Sequence, residues 1–310
     1  SGHLYAVKPR QALNAARSQV AGLLNCAPEE VAFTSGGTEA NNWAIIGAAR
    51  ALSGRGRHIV TSAFEHPAVI AVCAFLEKSG YEVSYLPVSS DGLVAVGDVE
   101  AALRPDTILI TIMHANNEVG TVQPIAEIAS LARSRGIRLH TDAAQSLGKI
   151  PVDVASFGID LLSLAGHKLY APKGVGALFI RRGVALETFM HGAGQELGRR
   201  AGTENILEIV GLGKACEIAG RDLERHRRHM QEMRDRLHAA VSAGGADVRL
   251  NGHPAKRLPN TLSLSFRDLE ANRLLEAIGL EVAASAGAAC HADSIEISHV
   301  LRAMGVPVEW

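Results

Sequence analysis

Short apolar runs that end in polar residues alternate with amphipathic stretches from Val31 to Ile180, and this rhythm restricts the chain more than any other feature. Strands are expected over 31–34, 58–62, 82–88, 107–114, 137–141, 161–164 and 175–180. Helices are expected over 9–24, from the Gly36-Gly37-Thr38 turn onward, over 67–79 and over 124–135. Strand–helix alternation of this kind implies an α/β fold with a mostly parallel sheet. Beyond it the pattern predicts helices over 205–218 and 221–242, then a strand over 261–266, a helix over 269–278, a strand over 281–285 and a helix over 297–304. That order describes a smaller α+β unit, so the expected division is a large domain over 1–222 and a small one over 223–310.

Composition narrows the function classes. Lys plus Arg (31) nearly balance Asp plus Glu (32), for a net charge of -1, so no global field draws the chain to nucleic acid or an anionic membrane. The run RDLERHRRHMQEMRDRL in the second long helix intersperses acids with bases and reads as a solvated amphipathic face that connects the domains. No apolar run is long enough to span a bilayer, and the opening SGHLYAVKPR lacks an apolar signal region, which suggests a cytoplasmic protein. Cys26, Cys73, Cys216 and Cys290 are scattered without CxxC spacing, against a disulfide framework or structural zinc, and no histidine shows metal-ligand spacing.

Ligands of open α/β sheets bind beyond the carboxyl ends of the strands. Polar residues cluster after five of the expected strands, at 35–38, Glu65-His66, 114–118, 142–145 and His167-Lys168. The run FTSGGTEANN puts two glycines and Thr38 where a strand turns into a helix, leaving N–H groups for a phosphate; the plain alternative is a tight turn with Thr38 as helix cap. No Gly-Lys-Ser/Thr follows, so the turn is not a nucleotide P-loop. Asp142 could pair with a cationic ring nitrogen or merely cap a helix. Lys168, in a glycine-punctuated loop, could form a Schiff base or simply be solvated. Cys290 lies among small residues in SAGAACHAD, a setting for a nucleophilic thiolate or for an inert cysteine.

Taken in order, SGGTEANN, EHPAV, HANNEVG, DAAQSLG, GHKLYAPKG, RRAGTEN and SAGAACHAD resemble the cysteine desulfurases and selenocysteine lyases of the class V aminotransferase group, nearly end to end. The resemblance implies fold type I of the pyridoxal 5'-phosphate (PLP) enzymes. It implies that Lys168 carries the cofactor and later moves the Cα proton, and that Asp142 keeps the pyridine nitrogen protonated. It assigns His66 to stack on the ring, Asn117 and Gln145 to its phenolic oxygen, and Gly37, Thr38 and His167 to the phosphate. Thr203 would reach the phosphate from the other subunit of a homodimer. Cys290 would take sulfur from L-cysteine, or selenium from L-selenocysteine, releasing alanine and holding a persulfide for an acceptor protein such as one of iron–sulfur cluster assembly.

Two departures from the family pattern carry expectations. Ala165 stands where many desulfurases have a serine on the phosphate, which removes one donor and, with AACH and the 192–205 segment, leans toward the selenocysteine lyases. The family continues beyond the region matched by Trp310, with an arginine that grips the substrate carboxylate. The expectation is a C-terminally truncated small domain, a high KM, and Arg199 or Arg200 as partial substitutes. Alternative readings are transamination or another β-elimination, which need no thiol acceptor, and a non-catalytic PLP-binding homologue.

Overall fold

The computed structural model describes residues 3–285 and 297–310. Helix α1 (Val7–Leu24) precedes β1 (Val31–Thr34) and α2 (Gly37–Ala51), followed by β2 (His58–Ser62), α3 (Pro67–Lys78), β3 (Glu82–Leu86), α4 (Val96–Ala102) and β4 (Thr107–Thr111). Next come α5 (Ile125–Ser134), β5 (Arg138–Asp142), α6 (Val154–Phe157), β6 (Leu161–Ala165), a 3-10 turn (Gly166–Leu169) and β7 (Gly176–Ile180). The remainder is α7 (Gln195–Gly198), α8 (Ile206–Arg221), α9 (Leu223–Ala243), β8 (Val248–Asn251), β9 (Ser263–Phe266), α10 (Ala271–Ile278) and α11 (His299–Ala303).

Among the described residues the main sheet has seven strands in the order β1-β7-β6-β5-β4-β2-β3. Strands β3, β2, β4, β5 and β6 run parallel, while β7 is antiparallel to both neighbours, β6 and β1. Successive strand side chains point to opposite faces. Ile59, Leu161 and Leu178 therefore join one apolar cluster with Trp43, and Val60, Leu162 and Phe179 join the other with Val20 and Leu212. Both faces are buried, which is why these strands read as continuous apolar runs.

Three sequence expectations are corrected. Residues 281–285 are not a strand: β8 and β9 form a two-stranded antiparallel sheet of their own, and no further strand joins it among the described residues. β4 ends at Thr111 rather than at His114, although Ile112 N–H and His114 N–H still donate to the carbonyls of His140 and Asp142. Arg199 and Arg200 are engaged elsewhere. Arg200 forks onto both oxygens of Glu39 at 2.8 and 3.0 Å, and Arg199 donates to the carbonyls of Val31 and Glu196.

α11 folds back on the large unit, where Val300, Met304 and Val306 pack on Phe64, Met113 and Val119 beyond the ends of β2 and β4. α9 has no buried residue, consistent with its expected solvated face. No helix among the described residues is long and apolar enough to cross a membrane.

Candidate active site

All five polar clusters fall at one end of the sheet, beyond the carboxyl ends of β1, β2, β4, β5 and β6. α2 begins at Gly37 without a side-chain cap, so its first-turn amides keep their hydrogen-bonding capacity. Thr38 is exposed and inside the helix, not its cap. Gly37 stands so near β6 that a Cβ on it would lie 3.1 Å from the Cβ of Ala165. The small residue at 165 is thus part of how the α2 turn approaches β6.

Asp142 closes β5 with a nearly buried carboxylate. Its Oδ2 accepts from Asn41 Nδ2 at 2.7 Å and its Oδ1 accepts from Ala144 N–H at 2.9 Å. The helix-cap alternative for Asp142 is thereby met only in part, by the Ala144 turn.

His66 is the N-cap of α3, and its Nδ1 accepts from Ala68 N–H at 3.1 Å. An accepting Nδ1 puts the neutral ring's proton on Nε2. Burial pushes the His66 pKa below its ordinary value, opposed by the Asp142 carboxylate and reinforced by the Lys168 ammonium. The three side chains that matter most in sequence therefore lie within electrostatic reach of one another.

Lys168 and His167 are exposed on the 3-10 turn after β6. Partial desolvation of the otherwise exposed His167 ring, with the cations of Lys168, Lys173 and Lys149, holds its pKa down. Gln145 and Asn117 are half-buried in neighbouring loops, and Asn117 Oδ1 is buried without a partner among the described residues. Thr203 is exposed on the segment between α7 and α8. Cys290 lies outside the described residues. A cleft of about 500 Å³ lined by Thr38, Asn42, His66, Pro67, Ala68 and Phe75 opens beside this end of the sheet. A second hollow, with Trp43, Arg181 and Arg199, lies at the opposite end.

Asn41, and Glu65 beside His66, also build the site. Asn41 is one of two adjacent asparagines that open the apolar stretch of α2, and only its burial distinguishes it from Asn42. Glu65 was noted only with His66, and its role is structural: both its oxygens accept from Met113 N–H at 3.0 Å, and Oε1 accepts from Ser62 Oγ. Full burial, partly offset by those bonds, raises the Glu65 pKa to about 8. Among the described residues no group of three or more His, Cys, Asp and Glu side chains gathers as metal ligands.

An anion-accepting helix start, a buried carboxylate, an amine and an imidazole at one sheet end define an enzyme of the PLP-dependent fold type I class. The Aminotransferase class-V family pattern matches residues 1–305, and the chain belongs to that family, whose members depend on PLP. It is 48% identical over 308 residues to "Cysteine desulfurase IscS" of Dictyoglomus turgidum, covering 99% of this chain and 78% of that protein. Among solved structures, a "NIFS-LIKE PROTEIN" matches with a TM-score of 0.91 at 35% identity, covering 100% of this chain and 82% of that one. "SspA in complex with cysteine" matches with a TM-score of 0.87 at 38% identity, covering 100% and 86%.

The residues present fit PLP. The uncapped amides at the start of α2 would suit its phosphate, the buried Asp142 carboxylate its ring nitrogen and the exposed Lys168 amine its aldehyde. Asn117 Oδ1, which has no partner among the described residues and can exchange places with Nδ2 by a flip, would have capacity for a ring substituent.

Proposed function

We propose that this chain is a PLP-dependent cysteine desulfurase that converts L-cysteine to L-alanine and passes the sulfur to Cys290. The observation that carries the reading is the convergence of Asp142, His66 and Lys168 beyond β5, β2 and β6, in a chain nearly half identical to a named desulfurase.

Lys168 Nζ would hold the cofactor, with His66 packed on its ring and Asp142 holding a proton on the ring nitrogen. Gly37, Thr38 and His167 would bind the phosphate, joined by Thr203 of a second subunit, and Asn117 and Gln145 would hydrogen-bond near the phenolic oxygen. When bound, the protonated pyridine ring takes up the electron pair left at the substrate Cα. Lys168, as free amine, removes the Cα proton. Cys290 Sγ, as thiolate, attacks the substrate sulfur; the new S–S bond forms as the Cβ–S bond breaks, and the carbon takes a proton to become the methyl group of alanine. A persulfide is left on Cys290 for an acceptor.

The other three thiols are poor candidates for that step, since burial pushes Cys26, Cys73 and Cys216 up to about 12. The exposed Leu4, Tyr5, Tyr170 and Leu207 support a homodimer, which sedimentation would test. The division into 1–222 and 223–310 is supported by the seven-stranded sheet lying wholly in the first part and the two-stranded sheet in the second.

The test is the mass of the PLP-loaded protein after brief exposure to L-cysteine without reductant. One added sulfur atom on the peptide containing Cys290 is expected. Added sulfur on other cysteines, or none, would overturn the reading.

A further inference from the structure

Lys149 is almost fully buried, yet the chemistry above does not use it. It follows the turn after β5, five residues after Ala144. Its Nζ donates to the carbonyl of Gln145 at 3.0 Å and to that of Lys168 at 3.5 Å. Those carbonyls belong to two different loops, one after β5 and one after β6, and each loop carries a side chain assigned to the cofactor.

A second contact joins the same two loops. Gly148, at φ +71°, is so close to the following strand's turn that a Cβ on it would fall 2.4 Å from Leu169 Cδ2. The glycine lets the loop seat directly against the Lys168 turn, and the ammonium beside it ties their backbones. An ammonium group withdrawn from water is costly unless its protons are taken up, so a lysine placed there has to be compensated by those carbonyls. Burial and the Lys168 charge together push its pKa down to about 8.

We propose that Lys149 is a positioning residue for Lys168, its buried ammonium clamping the Gln145 and Lys168 carbonyls so that amine and amide face the cofactor at a fixed separation. The inference rests on the PLP reading above. Without the clamp the two loops keep the Gly148–Leu169 contact but lose the hydrogen bonds that tie the Lys168 carbonyl to the β5 loop.

The experiment compares wild type, Lys149→Met, which keeps the stem and removes the donors, and Lys149→Gln, whose amide can reach only one carbonyl. Folding of each apoprotein is checked by circular dichroism, then PLP affinity, the visible absorbance band of the bound cofactor, and kcat and KM for L-cysteine are measured. Lys149→Met is expected to bind PLP at least about tenfold more weakly, with a displaced band and a lower kcat at unchanged KM. Lys149→Gln is expected to fall between it and wild type, and it carries the test if the Met variant does not fold. Wild-type affinity and band in the folded variants would overturn the proposal, as would failure of both to fold, which would mark Lys149 as a core residue only. Failure of wild type to bind PLP would instead overturn the cofactor reading.

Discussion

The Asp142 carboxylate accepts a hydrogen bond from Asn41 Nδ2 at 2.7 Å, tying the end of β5 to the second turn of α2. Both residues are buried, so this bond sets the carboxylate against the same helix whose start offers amides to an anion. Asn41→Leu leaves Asp142 Oδ2 without its donor, a loss of about 1.5–3 kcal/mol for a bond to a charged group. The expected outcome is PLP affinity lower by about tenfold or more, measured by absorbance titration of the apoprotein. Unchanged affinity would show that Asp142 holds its place without Asn41.

Glu65 gives the fold a pH dependence whose sign follows from burial. Its pKa is raised from 4.5 to about 8 in the folded chain. Between those values the unfolded chain is ionised while the folded chain keeps the proton, so the Glu65 contribution to stability is full below about 4.5 and declines until about 8. Glu65→Gln removes this limb. The melting temperature of the wild-type apoprotein is expected to fall more between pH 5 and pH 8 than that of the variant; parallel curves would contradict the assignment.

Arg17 and Glu196 form a buried, two-pronged ion pair at 2.7 and 2.8 Å, and Glu196 also accepts from Phe33 N–H at 2.9 Å. Cutting it strands a buried guanidinium. Glu196→Ala is expected to destabilise by about 3–5 kcal/mol, lowering the melting temperature by about ten degrees. A shift of only a degree or two in thermal unfolding of the apoprotein would show that Arg17 finds another partner.

Gly176 opens β7 where three backbones meet: a Cβ there would lie 2.5 Å from Leu164 O and 2.7 Å from Gly36 Cα. Gly176→Ala is expected to push back the turn that begins α2, so PLP affinity should fall more steeply than thermal stability. Equal PLP titrations for variant and wild type would remove this turn from the phosphate site.

The sheet was legible because strands buried on both faces, such as TILIT and GALFI, leave uninterrupted apolar runs with polar residues at their ends. The five clusters at those ends followed directly. α4 was missed because Val99 is its one buried residue, and β8 because VRLN is only partly buried and pairs with a single strand. Residues 281–285 resemble a strand in composition, but composition does not supply a pairing partner. Lys149 reads in sequence as one more loop lysine, because the Lys168 carbonyl that it meets lies nineteen residues further along the chain. Arg199 and Arg200 looked available for a substrate because the Val31 carbonyl and the Glu39 carboxylate that engage them are distant in the chain.

Whether the chain is a desulfurase is decided by the alanine formed from L-cysteine by the PLP-loaded protein in the presence of a reducing thiol, measured beside Lys168→Ala and Cys290→Ala. Alanine production by wild type that is lost in both variants is the expected result. Bound cofactor with no alanine, or alanine formed equally well without Cys290, would rule out a desulfurase that works through Lys168 and Cys290.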